Sequence, residues 1–118
     1  MTIGPQRRQI RVYSDRGCEV VQLLGEIDNA SAGLVEREVL LGVRASTGVV
    51  VDLTRTTFLD SAGLRCLDRL VTAFTNRGAP VRIAAPPDGM VRFTLDLVGM
   101  LPELLAENVD EALDEMTA

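Results

Sequence analysis

Residues 49–65 read VVVDLTRTTFLDSAGLR, and this stretch leaves the chain few ways to fold. Val49, Val50 and Val51 are β-branched, stiff at χ1 and suited to a pleated surface. Preceded by Gly48 and continued by Asp52 and Leu53, they predict a short strand buried on both faces. From Leu64 the spacing becomes helical, because Leu64, Leu67, Val71 and Phe74 recur at three and four residues and form one apolar face. Between the two lies Asp60-Ser61-Ala62-Gly63. Asp60 is a favoured N-cap, so Ser61 falls in the first helical turn, where backbone N–H groups have no intrahelical partner. The expectation is a hydroxyl presented at the end of a buried strand, on the positive pole of a helix.

The segments around this centre alternate between strand and helix. Gln9 to Tyr13 alternates polar and apolar and predicts an edge strand; Ser14-Asp15-Arg16-Gly17 is a turn, and Cys18 to Ile27 a second strand forming a hairpin with the first. Asp28 to Ser31 offers helix-starting side chains for a first helix with Leu34, Val35, Val39 and Val43 inward, ending near residues 45–48. Asn76-Arg77-Gly78 stops the central helix, and residues 80–85 form another strand. Asp88 is expected to cap a third helix with Met90, Val91, Thr94, Leu95 and Val98 inward, closed by Gly99. Core packing is the expected role of Met90 and Phe93, in preference to an exposed groove. Residues 101–106 read as a short edge strand or a turn, and Asn108 with Glu111 opens a final helix in a relative of the capping box.

This order predicts an α/β fold: one domain over residues 1–118, residues 1–8 a disordered lead-in, and a four- to five-stranded mixed, mostly parallel sheet with an N-terminal edge strand and about four helices packed on it. The working surface of such a sheet lies beyond the carboxyl ends of its parallel strands. Ser61 belongs there, and so does Asp28 if its strand runs parallel to residues 49–53.

Composition removes many alternatives. There is no histidine, no tryptophan and no lysine, and all 12 basic residues are arginine. A Ser-His-Asp triad, a P-loop and a His/Cys zinc site are therefore excluded within the chain. Cys18 and Cys66 match no metal or redox spacing and read as small buried hydrophobes. The net charge of −5 argues against nucleic acid as a direct partner. It is unevenly spread: residues 1–16 hold four arginines against Asp15, and residues 103–118 hold six carboxylates and no arginine, read as a solvated helix face. No apolar run approaches the roughly 18 residues of a membrane span, and Arg7 and Arg8 are not followed by a signal-peptide core, so the cytoplasm is the expected location. Neither cofactor nor metal is expected. An enzyme would have to work with carboxylates alone, as Asp28 and Asp60 would in a glycosidase-like pair. With aromatic residues at only 3%, a sugar cleft is disfavoured and no enzymatic activity is expected.

Taken in order, Gly25-Glu26-Ile27-Asp28, Val50-Val51-Asp52-Leu53, Phe58-Leu59-Asp60-Ser61-Ala62-Gly63-Leu64, Val81-Arg82-Ile83-Ala84, Leu95-Asp96-Leu97-Val98-Gly99 and Asp110-Glu111-Ala112-Leu113 resemble the STAS domain of bacterial anti-sigma factor antagonists over nearly the whole chain. The resemblance implies partner switching. The unmodified antagonist binds an anti-sigma factor that is also a serine kinase, phosphorylation of the motif serine releases it, and a serine phosphatase resets it. Carried over by position, Ser61 is the phosphoacceptor, and Asp28, Asn29, Phe58, Asp60, Ala62, Gly63, Leu64 and Arg65 share the partner surface with it. Arg55 and Arg65 are bulkier than the family's usual small residues, which bears on partner choice. A STAS subunit of a stress-sensing complex or of a lipid-transport ATPase is the alternative.

Overall fold

The computed structural model describes residues 9–44 and 47–117, so the expected lead-in lies outside them; the first helix ends at Gly42, with Val43 already extended, short of the expected residues 45–48. Its elements are β1 (Ile10–Asp15), β2 (Cys18–Leu23), β3 (Gly25–Ile27), α1 (Ala32–Gly42), β4 (Val49–Asp52), β5 (Thr56–Leu59), α2 (Ser61–Asn76), β6 (Val81–Ala84), α3 (Met90–Leu97), a 3-10 turn at Pro102–Leu104, β7 (Leu105–Ala106) and α4 (Val109–Thr117). Five strands form one sheet in the order β1-β2-β4-β6-β7. β1 is antiparallel to β2 at one edge, and the other pairings are parallel. The α/β class, the edge strand and the four helices are as expected.

Both faces of the sheet are covered, which is what its run of valines requires. On one face Val21, Leu23, Val49, Val51 and Ile83 pack with Val35 and Val39 of α1 and Leu67, Leu70 and Phe74 of α2. On the other, Cys18, Val20, Val50 and Ala84 meet Ala112 and Leu113 of α4. Both cysteines are buried and unbridged. Burial pushes the Cys66 thiol up to about 11, so it stays a thiol at neutral pH. The acidic C-terminal helix is not simply solvated: Arg16, in the β1–β2 turn, reaches Asp110 at 2.9 Å and Asp114 at 2.7 Å.

Several expectations need correction. The long second strand is two strands. Gly25 adopts φ +76, open to glycine, and turns the chain out of the main sheet after Leu23. β3 then pairs in parallel with β5, a strand the sequence reading missed, in a separate two-stranded ribbon. Asp88 does not cap α3; its N-cap is Gly89, without a side-chain cap. α3 buries Val91 and Leu95, while Met90, Phe93 and Val98 are exposed and not core. Leu34 also points to solvent, and α1 is seated instead by Ala32, Val35 and Val39. The stretch at 101–106 is both a turn and a two-residue edge strand. Asn108 caps α4 by accepting from the Glu111 N–H at 2.8 Å, and the Glu111 carboxylate accepts from the Glu107 N–H at 3.0 Å. That is a capping box displaced by one residue at its return bond.

Candidate functional site

The β3/β5 ribbon builds the site. It extends the carboxyl ends of β2 and β4 by a short second tier, stapled to the main sheet. The buried Thr56 hydroxyl donates to the Leu23 carbonyl at 2.7 Å, and the Gly25 N–H donates to the Arg55 carbonyl at 3.0 Å. Because β3 and β5 run parallel, their carboxyl ends emerge together, and with them Asp28 and Asp60. Ser61 therefore stands at the end of β5, not directly at the end of the central strand β4.

Asp60 ties the two ends together. One carboxylate oxygen accepts from the Gly63 N–H at 2.9 Å, the N-cap bond expected of it. The other accepts from the Asn29 N–H at 2.9 Å, across from the β3–α1 loop. These bonds hold the Asp60 carboxyl below its ordinary value of 3.8; the Gly63 N–H contributes most, desolvation opposes it, and the Asn29 and Ala62 N–H groups and the Arg65 charge tip the balance downward. A carboxyl depressed on folding stabilises above its unfolded value, and that stabilisation is lost as pH falls through the folded one. The stability gap between wild type and Asp60→Asn, which keeps a capping oxygen but no charge, is expected to be present at pH 7 and to close below pH 3.8. Denaturant melts at both pH values check this; a gap that stays constant would show that the charge is not what stabilises.

Asp28 is half-buried and bonded within its own loop. Its Oδ1 accepts from the N–H groups of Ala30 at 3.0 Å and Ser31 at 3.1 Å. It shapes the loop that carries Asn29, which is exposed. Ser61 is exposed in the first turn of α2, with Ala62 and Leu64 half-buried and Arg65 exposed beside it. Phe58 projects from β5 at 50% exposure. Gly63 is the exception among the residues expected at a partner surface. It is buried, and a Cβ there would fall on the Ile27 carbonyl oxygen and lie 3.1 Å from Leu59 Cδ2. It serves close packing of helix on strand. Arg69 bonds Glu36 at 3.4 Å between α2 and α1.

The arrangement presents a hydroxyl and an ionised cap at the N-terminal pole of a helix on one open rim. Among the described residues no cluster of three or more His, Cys, Asp or Glu side chains is placed to hold a metal ion, and no helix is long and apolar enough to cross a membrane. Sequence reasoning missed β5 and the outward face of α3. The signals were present: Thr56-Thr57-Phe58-Leu59 is β-branched and aromatic, and α3 holds more apolar residues than one face can bury.

An anti-sigma factor antagonist from Mycobacterium paratuberculosis has a similar structure, with 26% identity, coverage of 92% of this chain and 93% of that one, and a TM-score of 0.76. A sulfate transporter family protein from Wolinella succinogenes matches at 17% identity over 88% of each chain with a TM-score of 0.73. The Bacillus cell fate determinant SpoIIAA in its phosphorylated form matches at 19% identity over 90% of this chain and 97% of that one, with a TM-score of 0.60. The last two share the fold. No curated protein matches the sequence. A family model described as the STAS domain matches residues 9–115, so the chain belongs to the STAS-domain family.

Proposed function

We propose that the protein is an anti-sigma factor antagonist that binds an anti-sigma factor with serine kinase activity while Ser61 is unmodified, and releases it when Ser61 is phosphorylated. In this role it controls sigma-factor-dependent transcription from the cytoplasm, a serine phosphatase resets it, and neither nucleic acid nor membrane is a direct partner. The observation that carries the reading is the exposed Ser61 in the first turn of α2, on the rim where Asp60 ties that turn to Asn29. A kinase can reach the hydroxyl, and a phosphoryl group there meets the N-terminal pole of a 16-residue helix, so modification need not undo the fold. Likeness to the Mycobacterium antagonist and to a protein solved in a phosphorylated form supports it.

A binding role is also favoured over catalysis by what Asp60 does. Both of its carboxylate oxygens accept from backbone N–H groups, of the cap and of the β3–α1 loop, so Asp60 serves as a structural tie and not as a free acid, base or nucleophile. The alternative, a STAS subunit of another assembly, draws on the likeness to the sulfate transporter family protein. Incubation with ATP and purified serine-kinase anti-sigma factors decides between them. Intact mass is expected to rise by one phosphoryl group in wild type and not in Ser61→Ala; no gain with any such kinase, and recovery from cells in a membrane transporter complex, would favour the alternative.

A further inference from the structure

The outward side of α3 is apolar and uncovered. Met90, Phe93 and Leu97 follow one another at helical spacing with 73%, 61% and 75% of their surface exposed. Val98 and Leu101 continue the strip past the helix end, and Phe58 flanks its start across a small cleft shared with Met90 and Thr94. Six apolar side chains at half exposure or more put on the order of 600 Å² of apolar surface into one region. That is the upper end of what a lone monomer shows, and it approaches the ~800 Å² per partner of a standard interface.

The strip runs into the Ser61 rim from two directions. Phe58 lies three residues before Ser61 on the strand that delivers it. At the far end, Val98 and Leu101 line a groove of about 340 Å³ with Leu64, in the first turn of α2 beside Ser61. On the opposite flank of α2, facing α1, the rim is polar, with Asn29, the Arg69–Glu36 pair and the exposed Arg65. A protein interface has this anatomy: an apolar centre that supplies affinity and a charged margin that governs encounter.

We infer that the α3 strip is the apolar anchor of the partner interface whose switch is Ser61, and that its occupant is a heterologous protein presenting an apolar strip with acidic side chains at the margin over Arg65. This rests on the partner-switching reading above. A second copy of this chain fits less well, since two chains of net charge −5 repel each other as they approach. An acidic margin opposite Arg65 also accounts for the switch, because the same side chains that pair with the arginine repel a phosphorylated Ser61.

The test uses the kinase that modifies Ser61 in the mass experiment. Leu97→Ser and, independently, Met90→Gln alter exposed side chains, and thermal melts matching wild type confirm that each is folded. Each is expected to lower affinity of the unmodified protein for that kinase at least tenfold, by a factor that changes little between 50 and 500 mM salt, a range over which the screening length falls from roughly 14 Å to roughly 4 Å. Unchanged affinity in a folded variant overturns the anchor, and leaves the Ser61 reading standing if Ser61→Asp still binds weakly. Wild-type dimers that Leu97→Ser dissociates without touching kinase affinity assign the strip to a second copy and overturn it too. If no kinase modifies Ser61 and Ser61→Asp binds as wild type does, the partner-switching reading fails and the anchor fails with it.

Discussion

Purified Ser61→Asp is expected to bind the serine-kinase anti-sigma factor about a hundredfold more weakly than wild type, while Ser61→Ala binds as wild type does and both melt near the wild-type temperature. The size follows from a comparison of two effects at one position. A negative charge in the first turn of α2 is favourable to the helix, by roughly 0.3–1 kcal/mol. The same charge set against a like charge across an interface costs several kcal/mol, and about 3 kcal/mol is a hundredfold in affinity. Interface repulsion wins, and the fold is indifferent or slightly helped. The proposed switch would therefore need no conformational change, only an exposed hydroxyl on a surface that a partner covers. Titration calorimetry of the three proteins against the kinase reads the difference directly. Equal affinity of Ser61→Asp and wild type would remove the electrostatic basis of release, and a tighter-melting but tightly binding Ser61→Asp would show that only the local helix term operates.

The centre of this fold was legible because its signals are local. Three consecutive valines, a capping aspartate and a helical stripe each act within a few residues, and β4, the Asp60 cap and α2 lie where those signals put them. Even there the stripe was one step off. Leu67 and Phe74 are core, but Cys66 and Leu70 complete the buried line, and Leu64 and Val71 stay half-buried at its edge. Residues 56–59 had the composition of a strand, but the pairing of the β3/β5 ribbon was not legible, since what breaks the second strand is the positive φ of Gly25, and what recruits residues 56–59 is pairing with a segment 31–32 positions earlier. Neither is visible to periodicity. α3 misled for a different reason: apolar spacing gives a helix but does not say which side is covered, and this helix has apolar residues on both. At the site, the Asp60–Asn29 bond joins loops far apart in the chain, so sequence could place both residues on one rim but not reveal that one carboxylate holds the two loops together.

Gly63→Ala is expected to destabilise the protein by about 1–3 kcal/mol, lowering the melting temperature by roughly 5–10 °C, although alanine is the better helix former by about 1 kcal/mol. The reason is the proximity of β3. The added methyl would fall on the Ile27 carbonyl oxygen, with the Ile27 carbonyl carbon and Leu59 Cδ2 each at 3.1 Å. That oxygen belongs to strand backbone, accepts from the Asp60 N–H at 3.4 Å, and has no side-chain freedom with which to yield. The first turn of α2 must move off the ribbon instead, and it carries Ser61 and the Asp60 carboxylate with it. Gly33→Ala is the matched control: it also lies in the first turn of a helix, it is exposed, and a Cβ there meets nothing within 4 Å. Propensity alone acts at that site, so Gly33→Ala should be neutral or stabilising by up to about 1 kcal/mol. Opposite signs for the two substitutions in parallel denaturant melts would establish helix-to-strand contact at Gly63; equal effects would mean that α2 can retreat from β3 at no cost, and that the rim presenting Ser61 is not rigidly built.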